Sequence, residues 1–316
     1  MTVLTLRLAL ACLFAYPLAC APARAGTVFV ASQQGASLTR IETAGDAVHA
    51  TTAVAAAPAT VAAGAGRLYL SHPDGRAITV LDAVSGGVLR RLPYAGQAFG
   101  LAASADGRSV YVGDWSADRV SRLSPETGVV EATVAVGRDP AGVVLDRRGR
   151  LYVADRESRQ VSVVDAERME RIATVAVGEA PFALALSPAE DRLYVANVRS
   201  NDLSVIDTGN LRVLATVPVG AMPYGVAVSP DGGRILVTNQ HAGTVSVLDA
   251  RTLRLAATVP VGRYPEGVAV SGGRAYVANW FSDDVSVIDL ATLEETARIP
   301  VAEGPRSLVA AQETVR

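Results

Sequence analysis

A short strand-like segment, an aromatic or aliphatic residue followed by Val-Ala-Asn or a close variant, returns seven times along this chain of 316 residues. The clearest copies are Tyr194-Val195-Ala196-Asn197, Leu236-Val237-Thr238-Asn239 and Tyr276-Val277-Ala278-Asn279. Weaker ones are Phe29-Val30-Ala31-Ser32, Tyr69-Leu70-Ser71-His72, Tyr111-Val112-Gly113-Asp114 and Tyr152-Val153-Ala154-Asp155. Their first residues are 40, 42, 41, 42, 42 and 40 positions apart. A fixed period of about 40 residues marks a repeat architecture in which each unit buries its faces only against its neighbours.

Each repeat contains four strand signals. A Gly-Val-Ala-Val-like run, such as Gly225 to Val228, precedes a turn such as Ser229-Pro230-Asp231-Gly232-Gly233, which leads into the Tyr-type strand. A third run reads Val245-Ser246-Val247-Leu248-Asp249 and a fourth Ala257-Thr258-Val259-Pro260-Val261, before a Gly-x-x-Pro connection opens the next unit. No long 3.6-residue period interrupts them. The expected fold is all-β: a seven-bladed β-propeller of four-stranded antiparallel blades over 26–316. The ends are complementary: Thr27 to Ser32 is a second-type strand with no first strand before it, and Ser307 to Ala310 is a first-type strand with nothing after it. Pairing 307–310 with 27–32 should close the ring and hide two edges.

These repeats resemble the YVTN family of β-propellers over essentially the whole of 26–316, most closely in blades four to seven. Blade one departs most, at Ser37 to Glu42. The resemblance implies a fold and an often extracytoplasmic setting, as in exported YncE-like members; it does not imply one activity, because propellers host many.

Met1 to Ala25 reads as a secretory signal: one positive charge in Met1 to Arg7, an apolar run from Leu8 to Ala19, and the small-x-small site Ala23-Arg24-Ala25. Cys20 in Leu18-Ala19-Cys20 offers an alternative, a lipid-anchored form, although Pro17 stands where a lipobox wants an aliphatic residue. The run is too short to span a bilayer, so a periplasmic or secreted monomer is expected. Both cysteines, Cys12 and Cys20, lie in this segment, so the remaining chain has no disulfide. Removing Arg7 and Arg24 leaves 27 basic against 31 acidic residues, a formal charge of −4, and every basic residue is Arg. That balance argues against a surface built to hold phosphate backbones, so single-stranded DNA binding stands as the third and least favoured reading.

Arg67, Arg108, Arg150, Arg192, Arg234 and Arg274 precede the Tyr-type strands. Hairpin register sets Arg67, Arg192, Arg234 and Arg274 opposite Asp82, Asp207, Asp249 and Asp289, so cross-strand ion pairs are expected. Asp114, Asp155, Asn197, Asn239 and Asn279 form a ring at the other end, expected to nucleate turns. Function is expected where blades differ. Trp115 and Trp280 follow ring positions, and Phe281 follows Trp280; Phe99, Phe182 and Tyr224 stand one residue past the connection's Pro or its equivalent. At that same position Glu266 and Arg306 should face each other on adjacent blades. With Tyr264 and His241 these make a ligand pocket or partner surface, or they plug the channel and pack loops.

No His-x-x-x-His pair supports a transition metal among His49, His72 and His241, and no Cys-x-x-Cys-His haem site, phosphate loop or Gly-x-Ser-x-Gly elbow occurs, so no cofactor is expected. The favoured reading is a non-catalytic module that binds a protein or small ligand on its loop face. The second is an enzyme or the propeller partner of an oxidoreductase, similar to sugar lactonases or amine-dehydrogenase heavy subunits. In that case Asp114, Asp155, Glu266 and His241 are the available acid–base groups.

Overall fold

The computed structural model describes residues 26–312; the expected signal segment and both cysteines lie outside the described residues. Seven four-stranded antiparallel sheets form the ring expected from the repeats. The first blade takes its inner strand from the C-terminal end, Pro305–Gln312, followed outward by Gly26–Ser32, Ser37–Glu42 and Ala47–Ala53. Thr27 pairs with Ala311, Val28 with Ala310, Phe29 with Val309, Val30 with Leu308 and Ala31 with Ser307. The ring therefore closes as the complementary ends require. Ser37–Glu42 forms a regular third strand despite its divergent sequence, because Leu38 and Ile41 still supply buried apolar contacts.

The other inner strands are Val61–Gly64, Ala98–Ala103, Pro140–Leu145, Pro181–Leu186, Pro223–Val228 and Pro265–Ser271, and each contacts the next around the axis. Their glycines have a specific cause. A Cβ at Gly100 would stand 2.0 Å from the Ala141 carbonyl oxygen, and one at Gly225 2.3 Å from that of Glu266. Inner strands of adjacent blades approach too closely for any side chain there.

Packing between blades decides which Tyr-type residues are buried. Tyr69, Tyr152, Tyr194, Tyr276 and Phe29 are among the largest fully buried side chains, and each sits in a cluster between two sheets. Outer strands alternate between exposed and half-buried positions, as half-solvated antiparallel edges do. Among the described residues no helix is long and apolar enough to cross a membrane, and the helical content is one 3₁₀ turn, Arg156–Ser158.

The repeated arginines require a correction. The register is as expected, with Arg67 opposite Asp82, Arg192 opposite Asp207, Arg234 opposite Asp249 and Arg274 opposite Asp289. Most of the guanidinium groups nevertheless reach to the next blade. Arg67 pairs with Glu126, Arg274 lies 2.6 Å from Asp46, and Arg150 and Arg192 donate to the carbonyls of Thr208 and Ala250 at 2.8 Å. Arg234 keeps a pair with its opposite Asp249, at 3.9 Å. The aspartates instead accept backbone N–H bonds in their own turns, as Asp249 does from Thr252 at 2.8 Å. The long guanidinium arm spans the gap between blades, while a short carboxylate serves its local turn better.

Candidate functional site

The Asn and Asp ring is structural, but not chiefly through the local turns expected of it. Asn239 and Asn279 each donate from Nδ2 to the serine seven residues on, Ser246 at 2.9 Å and Ser286 at 2.8 Å. Asn197 does the same to Ser204 at 2.9 Å, and Asp155 accepts from Ser162 at 2.6 Å. These bonds explain why the third-strand serines recur with the period. Asn239 and Asp114 also accept N–H bonds from the connections at Gly220 and Gln97, both at 3.0 Å. Blade two uses His72 at this position, its Nε2 paired with Thr79 Oγ1 at 2.9 Å. Burial lowers the His72 pKa and favours the uncharged ring. Asp114 and Asp155 are likewise enclosed within their blades, which removes them from acid–base work at the surface.

The residues that break the repeat gather at one end of the axis. An axial cavity of about 370 Å³ is lined by all seven inner strands. The position after each connection's Pro or its equivalent contributes Ala59, Phe99, Ala141, Phe182, Tyr224, Glu266 and Arg306. Phe99 and Phe182 meet edge to face at 5.7 Å across the small Ala141, and Phe182 packs on Tyr224 at 4.0 Å. Trp115 covers Phe99 at 4.6 Å. The four rings form a continuous arc, and Glu266 and Arg306 bring charge to the same ring of positions.

Arg306 reaches across that mouth. Its guanidinium lies 5.4 Å from the Phe99 ring centre and 5.7 Å from that of Trp280, close enough for cation–π attraction. It donates to the Tyr224 hydroxyl at 2.8 Å and to Gln33 Oε1 at 3.0 Å. Its Nε stands 3.3 Å from Glu266 Oε2, so the expected meeting of Glu266 and Arg306 is present. Glu266 is buried and accepts from Gln240 Nε2 at 2.9 Å through Oε1. Oε2 has no hydrogen-bond partner among the described residues.

Burial pushes the Glu266 carboxyl up to about 7, against the opposing pull of Arg306 and the bond from Gln240. Burial also raises the Tyr224 hydroxyl, with Arg306 opposing it. An unfolded Glu titrates near 4.5, so the folded state binds the extra proton between that value and about 7, and stability falls as pH rises through this window. Glu266→Gln, permanently uncharged, should match the native chain near about pH 4 and exceed it near about pH 8 by roughly 3 kcal/mol. Thermal melts at the two pH values check this; equal melting at the higher one would contradict it.

A second group lies farther out. Tyr264 packs against Phe281 at 4.8 Å and His241 at 5.9 Å, and Arg263 donates to the Phe281 carbonyl at 2.6 Å. The nine candidates thus divide: Trp115, Phe182, Tyr224, Glu266, Trp280 and Arg306 surround the mouth, and His241, Tyr264 and Phe281 form an outer patch. Sequence reasoning missed Gln33, Gln240 and Arg156, the last lying 5.9 Å from Trp115. All three follow the Asn/Asp-ring position, as the two tryptophans do, so the signal was there.

The model for the Cytochrome D1 heme domain family matches residues 146–278. No curated protein matches the chain. Among solved structures, Kuenenia stuttgartiensis hydrazine synthase is 20% identical, with a TM-score of 0.72 over 80% of this chain and 89% of the other. A functionally unknown protein from Desulfotomaculum acetoxidans is 13% identical, with a TM-score of 0.78 over 91% and 99%. The dihydro-heme d1 dehydrogenase NirN in complex with DHE is 18% identical, with a TM-score of 0.65 over 90% and 67%. These likenesses establish the propeller fold.

The axial cavity does not offer the axial ligands that the haem named by the matching family would need. Among the described residues no His, Met or Cys side chain lines it, and the Tyr224 hydroxyl is already engaged by Arg306. His72 is committed within its blade, His241 is exposed on a loop and His49 lies on an outer strand. This donor set does not fit an iron axial ligand.

Proposed function

We propose that the chain is an exported, non-catalytic propeller that works beside an oxidoreductase and meets it through the loop face around the channel mouth. Phe281 carries this reading. It is 54% exposed and the one aromatic among the large exposed hydrophobics of the described residues, whereas Ile172, Leu214 and Leu255 are scattered on outer strands. Around it stand Tyr264, His241 and Arg263. A cluster of aromatic and Arg side chains at an exposed rim has the composition of a protein-binding hot spot.

Three further points support the setting. Fold relatives named as a synthase and a dehydrogenase, with a family described by its haem domain, favour a redox context. Asp114 and Asp155 are enclosed within their blades and Glu266 is the one carboxylate among the residues lining the cavity, which favours binding over acid–base catalysis. The features of Met1 to Ala25 favour export, and the Leu236-Val237-Thr238-Asn239 repeat favours a place among the YVTN-type propellers.

Affinity capture from periplasmic extract tests the reading. The native chain should retain a redox enzyme, and Phe281→Ala should weaken that capture roughly 30-fold, the effect of losing about 2 kcal/mol at a hot spot. Retention of the same proteins by both forms, or of none that is redox-active, would count against it.

A further inference from the structure

We propose that the axial cavity is a binding site for a small zwitterion, an amino acid with an apolar or aromatic side chain. The inference is independent of the partner proposed for the loop face. It rests on two unfinished groups at one point of the cavity wall. Glu266 is 5% exposed, and its Oε2 has Arg306 Nε at 3.3 Å as an ion-pair neighbour but makes no hydrogen bond among the described residues, which leaves a buried carboxylate oxygen short of a donor. Arg306 stands beside it, and the bonds to Tyr224 and Gln33 occupy only part of its set of N–H donors. Its side chain keeps 18% exposure, so it is reachable from the mouth.

The site therefore asks for a donor and an acceptor side by side. An ammonium group would satisfy Glu266 Oε2, and a carboxylate would take the free N–H groups of Arg306, with charge-assisted bonds on both sides. Each half alone is disfavoured. A simple amine would bring a second cation next to Arg306, and a simple carboxylate a second anion next to Glu266. A zwitterion adds no net charge and meets both demands. Phe99, Phe182 and Tyr224 supply an aromatic wall for the rest of the molecule, and about 370 Å³ is in the range of small-molecule pockets.

Titration calorimetry with three probes of one shape tests this: L-phenylalanine, phenethylamine and 3-phenylpropionate. The amino acid should bind at least about tenfold more tightly than either single-charge analogue. Glu266→Gln, expected to fold at least as well as the native chain, should lose at least about tenfold in that affinity. Arg306→Gln should lose it too; if that variant fails to fold, Glu266→Gln alone decides. Absence of binding by L-phenylalanine and L-leucine at millimolar concentration, as for a cavity that holds only water, would overturn the proposal. Equal affinity for all three probes, or undiminished binding by Glu266→Gln, would do so as well. Capture compared between the native chain and Phe281→Ala reads the outer patch, whereas calorimetry with Glu266→Gln reads the cavity wall, so the failure of one proposal is distinguishable from the failure of the other.

Discussion

A chain ending at Gly304 should no longer fold into a stable monomer. Such a truncation removes the strand Pro305–Gln312, which is the inner strand of the first blade. Gly26–Ser32, whose side chains are all buried, would then present an open edge carrying Val28, Phe29 and Val30. Leu308 and Val309 would be lost from the clusters that join the first blade to its two neighbours. Removing these side chains and a full ladder of backbone bonds costs on the order of 5 kcal/mol or more, comparable with the total stability of ordinary domains. Size-exclusion chromatography should show aggregation, and the cooperative melt should be lost. A peptide of residues 305–312 added in excess should restore part of it by strand addition. A truncated chain that stays monomeric with unchanged melting would refute closure through this strand. The truncation also deletes Arg306, so the mouth would lose its guanidinium and leave Glu266 without its cationic neighbour.

The second large effect should come from Tyr152→Ala. Tyr152 is fully buried and packs in one cluster with Leu184, Leu193 and Ile206 of the next blade. Removing the ring empties space between two sheets that are each held by their own ladders and cannot collapse onto it. A buried aromatic truncated to Ala costs about 3–5 kcal/mol. Tyr152→Phe separates the ring from its hydroxyl. That hydroxyl donates to Asp146 Oδ2 at 3.1 Å, but Asp146 also holds the backbone N–H groups of Arg148 and Arg150 at 3.0 and 2.8 Å. The turn therefore survives without it, and Phe should cost about 1 kcal/mol. Blade six already carries Leu236 at the equivalent place, fully buried and with no hydroxyl. Denaturant melts that rank Ala far below Phe would confirm that these residues act mainly by filling the inter-blade gap; equal losses would show that the bond to Asp146 matters more.

Much of the site was legible before any coordinates, because it lies where the repeat is broken. Phe182, Tyr224, Glu266 and Arg306 share one repeat position, and equal register in seven inner strands carries that position to the axis. The same argument applied one residue after the Asn/Asp ring would have added Gln33, Arg156 and Gln240. What the repeat does not contain is side-chain reach. Arg306 crosses the mouth to a tyrosine two blades away, and several of the repeated arginines, Arg150 and Arg274 among them, reach groups on the next blade. Long flexible side chains choose among several partners within range, and strand register does not fix that choice.

The period of the sequence by itself determined seven blades, four strands in each, and closure of the ring by its two ends. Strand pairing is a periodic backbone property, so a periodic sequence is enough to specify it. Only the tertiary structure decided that the Glu266 carboxyl is buried with one oxygen making no hydrogen bond among the described residues, and that the aromatics form an arc over a cavity rather than filling it. Those facts depend on how seven different side chains share one small space at the axis. No single repeat carries that information, because each contributes one side chain and the packing belongs to all seven together.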